Sequence, residues 1–155
     1  MKRWIGLLAF CLTGCMQAAG DGASIVVAPA GDTITPDGTL AASIGIESVG
    51  GVFTPLLARG CAVPCVSAQQ FSTAEDGQRE IDLHVFSGDA ALTAATQPLG
   101  TFRITGMAAM PRGTPRIRVT FEAAAQGVIL SAVDSDGNAR LSIARVTRRG
   151  DTALP

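Results

Sequence analysis

The stretch "RIRVTFE", Arg116 to Glu122, alternates strictly in character. Ile117, Val119 and Phe121 fall on one side of an extended chain, and Arg116, Arg118 and Thr120 on the other. A period of two excludes an amphipathic helix and requires a strand with one buried face. "EIDLHVF" repeats the device, with Ile81, Leu83 and Val85 on one face and Glu80, Asp82 and His84 opposite. "SIGIESV", "GVFTPLL", "PCVSAQQFS", "LGTFRIT", "VILSAVD" and "ARLSIARV" extend the series. Gly50-Gly51, Asp76-Gly77, Pro111 to Gly113 and "DSDGN" at Asp134 to Asn138 punctuate it. Beyond the N-terminal segment no long run keeps a 3.6-residue period. Short, regularly spaced strands of this kind predict an all-β fold. The expectation is a two-layer antiparallel β-sandwich of about eight short strands. "QFSTAEDGQREIDLHVFSG", Gln70 to Gly88, reads within it as a hairpin with an acidic tip. At 155 residues, 47% hydrophobic and 16% charged, the chain can bury one real core.

The first residues, "MKRWIGLLAFCLTGC", have a different texture. Lys2 and Arg3 precede an apolar run, Trp4 to Leu12, about half the ~20 residues of a membrane-spanning helix. "LTGC", Leu12 to Cys15, resembles the bacterial lipobox, in which the cysteine is acylated and becomes the mature N-terminus. An ordinary secretory signal cut near Ala18 or Ala19 is the alternative. The resemblance implies a lipoprotein signal peptide over 1–14, an anchor at Cys15 that does not span the bilayer, and a place in the bacterial cell envelope. Met16 after the cysteine points there to the outer membrane, facing the periplasm. Residues 15–39, rich in Gly, Ala, Pro and Asp, read as a tether with a brief strand at Ser24 to Ala28. The sandwich then occupies 40–147, and 148–155 is a short tail.

Export sorts the remaining cysteines. Cys61 and Cys65, in "RGCAVPCVS", lie in an oxidising compartment and read as a structural disulfide, with two free thiols as the alternative. Metal is not expected: a zinc site needs further ligands, and the chain has one histidine. Setting aside Lys2 and Arg3 leaves 10 basic against 13 acidic side chains, no footprint for nucleic acid.

"SIGIESVGGVFTPLLARGCAVP", "QFSTAEDGQREIDLHVFSGD", "LGTF", "MPRGTPRIRVTFE" and "SAVDSDGNARLSI" follow one another in a specific order. From about Ser43 to about Val146 the chain resembles the β-sandwich half of the peptide-binding domain of DnaK-type seventy-kilodalton heat-shock chaperones. The resemblance implies a groove holding an extended apolar segment of an unfolded chain by main-chain hydrogen bonds, with one pocket for a leucine-like side chain. Ile46, Phe71, Ile81 and Leu83 would line that pocket. Val49 and Ala74 would form the arch over the peptide, and Ser48, Ser72 and Gln78 would stand where the family makes polar contacts to the bound main chain.

The departures are equally specific. Where the family has a linker from an ATPase domain this chain has "ITPDGTL", and no Gly-rich phosphate loop with its lysine occurs. The expectation is a sandwich with neither nucleotide-binding domain nor helical lid, hence no nucleotide and no cofactor. Arg112, whose family counterpart latches the lid, reads as a surface turn residue.

Alternation alone would make Ile46, Phe71, Ile81 and Leu83 ordinary core residues. Enzyme chemistry finds little purchase: His84 stands on the polar face of its strand, and Glu75-Asp76 reads as a solvated loop pair. The preferred expectation is a non-enzymatic, lipid-anchored, ATP-independent binder of unfolded polypeptide. A structural envelope domain that kept the sandwich and lost the groove, and a module recognising one partner by strand addition, are the alternatives.

Overall fold

The computed structural model describes residues 22–147; the signal segment, Cys15 and the tail 148–155 lie outside them. Nine strands form two antiparallel sheets, an all-β sandwich as the alternation requires. The strands are β1 (Ala23–Pro29), β2 (Ile44–Ser48), β3 (Val52–Leu57), β4 (Cys65–Phe71), β5 (Glu80–Ser87), β6 (Gln97–Thr105), β7 (Ile117–Ala124), β8 (Gly127–Asp134) and β9 (Ser142–Val146). One sheet has the order β1-β8-β7-β4 and the other β3-β2-β5-β6-β9. A helical turn at Ala30–Thr33 and a 3-10 turn at Thr93–Ala95 are the only helical elements among the described residues.

The core is the sum of the inward faces. Ile117, Val119 and Phe121 of β7 are sealed from solvent, as are Leu130 of β8 and Phe102 and Ile104 of β6. Each such side chain contributes roughly 1.5–3 kcal/mol of apolar burial. Arg145 of β9 stitches the layers at one margin. Its guanidinium donates to the Val27 carbonyl at 2.7 Å and the Leu99 carbonyl at 3.0 Å, and lies 5.0 Å over the Phe102 ring.

Two expectations are corrected. Gln70–Gly88 is not a hairpin: β4 pairs with β7 in one sheet, while β5 pairs with β2 and β6 in the other. Residues 72–79 therefore cross between layers. Alternation says which side chains face the core, but both sheets face the same core, so it cannot say which sheet a strand joins.

The N-terminal segment carries the expected strand at Ser24 to Ala28, one residue longer at each end, but from there it is part of the sandwich and not a tether. Ala23–Pro29 is a full strand paired along β8, with Val27 and Ala28 buried. A shift in register between Val26 and Ala28 turns two successive side chains inward, which strict alternation would forbid. Gly127, at φ +122°, makes room: a Cβ there would collide with the Ala28 carbonyl. Leu40, also sealed, pins the following loop to the core.

Cys61, in the loop between β3 and β4, forms a disulfide with Cys65, the first residue of β4. That loop is laced to the segment before β2: Leu40 N–H donates to the Cys61 carbonyl at 3.0 Å, and Val63 N–H to the Gly38 carbonyl at 2.9 Å. Closing so short a loop is worth about 2 kcal/mol in the chain-entropy model. The double variant Cys61→Ser/Cys65→Ser is expected to lose about that much in urea unfolding. An unchanged midpoint would show the bridge to be energetically idle.

Candidate functional site

The second sheet splits at one end. β2 pairs with β5 only from Ile44↔Ser87 to Ile46↔Val85. Beyond that point β2 stays with β3 down to Ser48↔Val52, and β5 stays with β6 down to Glu80↔Thr105. Two hairpins thus diverge from a common root. The facing edges, Glu47–Ser48 and Leu83–His84, make no ladder with each other, which leaves main-chain donors and acceptors for an added extended chain.

Two loops flank this fork, and both are braced. Gly50 and Gly51 turn the β2–β3 connection at φ +84° and +74°, values that only glycine adopts freely. Thr93 holds the turn: its N–H donates to the Gly51 carbonyl at 2.9 Å, and its hydroxyl donates to the same carbonyl at 3.1 Å and to the Glu47 carboxylate at 3.3 Å. The crossing loop 72–79 is tied to residues 110–115. Gly77 N–H donates to the Met110 carbonyl at 2.9 Å, Gly113 N–H to the Thr73 carbonyl at 2.9 Å, and Arg112 N–H to the Asp76 carboxylate at 2.9 Å. Arg112 is an exposed turn residue.

The fork has an apolar floor. Ile46 and Leu83 are buried in the core cluster, and Phe71 and Ile81 are half-buried against it. These four residues come from both sheets and belong to one cluster. Val49 and Ala74 stand exposed at the two loops, Val49 fully so at 99%. The three polar residues are engaged internally. Ser48 Oγ meets Thr54 Oγ1 at 2.6 Å, and Ser72 Oγ donates to the Pro115 carbonyl at 2.6 Å. Gln78 Oε1 accepts from the Ala74 and Glu75 N–H groups, while its Nε2 donates to the Glu80 carbonyl at 2.6 Å. Gln78 therefore shapes the crossing loop from within. Sequence reasoning missed the braces Thr93 and Asp76; an aspartate directly before the turn glycine was the one available signal for the second.

Outside the fork, Ala74, Glu75, Gln78, Glu80 and Asp82 line an acidic depression of about 350 Å3. Arg103 donates to both Asp82 oxygens, at 2.7 and 2.8 Å, and this hydrogen bonding holds the Asp82 carboxyl below its ordinary range. His84 is exposed, its Nδ1 2.9 Å from Thr101 Oγ1.

A scaffold of this shape can hold an extended chain by its main chain and receive one apolar side chain against the floor. The model of the family described as Hsp70 protein matches residues 29–152. The chaperone protein DnaK of Mycoplasma mycoides subsp. mycoides SC is 43% identical over 102 residues. That match covers 65% of this chain but only 17% of the relative's length.

Proposed function

Because the chain belongs to the Hsp70 family, we propose that its sandwich binds extended, apolar segments of unfolded polypeptide in the fork between β2 and β5. The observation that carries this reading is that Glu47–Ser48 and the facing Leu83–His84 form no ladder with each other, each being paired only on its far side, beside the apolar residues Ile46, Phe71, Ile81 and Leu83. Main-chain pairing is indifferent to ligand sequence, and the floor adds a preference for one leucine-like side chain. Burying that side chain contributes roughly 1.5–3 kcal/mol, and each of a few hydrogen bonds about 0.5–1.5 kcal/mol. Association and ordering costs of several kcal/mol are subtracted. The balance fits micromolar, promiscuous binding.

Every group used in this binding is main chain or hydrocarbon, and on this reading the chain acts as a holdase whose grip on peptide does not depend on ATP. "LTGC" supports acylation at Cys15 and a place on an envelope membrane, the outer membrane facing the periplasm. Fluorescence anisotropy with a labelled leucine-rich heptapeptide tests the binding: saturation in the micromolar range, unchanged by ATP, is expected. Absence of binding across a varied peptide set would leave the alternative, an envelope domain that keeps the sandwich alone. The internal bonding of Ser48, Ser72 and Gln78 favours that second reading. For the anchor, Cys15→Ser is expected to move the protein from the membrane to the soluble fraction; continued sedimentation with membranes would refute acylation there.

A further inference from the structure

The register of the sheets fixes which pole of the sandwich the N-terminal segment enters. Ala23 pairs with Ala132 near the end of β8, whereas Pro29 pairs with Gly127 at its start. The end of β8 lies beside the beginning of β7 (Asp134↔Ile117), and Ile117 lies beside Phe71 at the end of β4. Phe71 leads directly into the crossing loop 72–79. That loop, the 106–116 connection bonded to it, and the open end of the split sheet at Glu80↔Thr105 all crowd the same pole. The β7–β8 turn, Ala125–Gln126, marks the opposite one.

Ala23 is eight residue steps from Cys15. However they are folded, eight steps span at most about 29 Å. The seven residues of β1 are about 23 Å long. To lay the far pole on a bilayer, the connecting residues would have to run back along nearly the whole sandwich, stretched almost taut. The near pole needs no such extension. It also carries Val49, an apolar side chain 99% exposed at the tip of a glycine turn.

We propose that the pole bearing the fork faces the lipid surface, so that the cleft opens toward the bilayer and takes polypeptide in the layer next to it. The orientation rests on the anchored-binder reading above. It uses the anchor and the register, and does not depend on the cleft being functional.

The test uses the full-length acylated protein, purified from membranes and added to phosphatidylethanolamine/phosphatidylglycerol vesicles carrying a headgroup-labelled acceptor. A donor dye is placed at Asn138→Cys, an exposed position in the loop after β8, or at Gln126→Cys in the opposite turn. Energy transfer is expected to be larger from position 138. Equal transfer from both positions, or larger transfer from 126, would overturn the proposal, as would protein that lacks the acyl group and fails to join the vesicles. Peptide anisotropy on the same vesicles separates the two ideas. Unequal transfer without peptide binding keeps the orientation and removes the cleft's function; peptide binding with equal transfer does the reverse.

Discussion

Replacing Ile81 by tryptophan is expected to abolish most peptide binding while leaving the sandwich folded. Ile81 is half-buried on β5, opposite Ile104 of β6, at the level where β2 and β5 have parted. An indole there extends into the space a ligand side chain would use, and a half-open position lets the ring turn outward without breaking the core. Loss of one leucine burial, roughly 1.5–3 kcal/mol, weakens affinity between about tenfold and about a hundredfold. Val66→Trp is the control: Val66 is 60% exposed on β4, within a strand that pairs with β7 alone, and binding there is expected to be unchanged. Equal affinity for Ile81→Trp and the natural protein would remove the fork from the binding account.

The largest loss of stability is expected from Phe121→Ala. Phe121 sits in the middle of β7 between Ser67 of β4 and Leu130 of β8, with no solvent exposure. Truncating a sealed phenylalanine costs about 3–5 kcal/mol, because the cavity cannot collapse against rigid sheets. A domain of this size holds about 5–15 kcal/mol in total, so the variant approaches the threshold of folding. A fall in melting temperature on the order of 10–20 °C is expected. Val66→Ala on the exposed face should stay within about 0.5 kcal/mol of the parent. A small shift for Phe121→Ala would mean that the two layers repack freely, contrary to the sealed interior described here.

The strand faces were legible because burial imposes a period of two. Ile117, Val119 and Phe121 point inward as their spacing requires, and His84 points outward among Glu80 and Asp82. Strand partners were not legible: the acidic stretch between Phe71 and Glu80 looks like a hairpin tip, yet it joins two layers. β1 was legible as a brief strand at Ser24 to Ala28, but the Gly, Ala and Pro around it suggest a linker, which hid that it is a full member of the sandwich. At the site, periodicity makes Ile46 and Leu83 plain core residues, and the binding role proposed for them comes only from the likeness to a chaperone family. The hydrogen bonds that occupy Ser48, Ser72 and Gln78 depend on loop geometry that no local pattern encodes.

The ribbon Ala23–Pro29 also acts as a guard. It covers the outer row of amides on β8, a row that would otherwise template pairing with any passing extended segment. A truncated version starting at Ala30, close to where the family match begins, would lose this cover. Such material is expected to dimerise or precipitate, and supplying a peptide of sequence ASIVVAP in trans should restore its solubility.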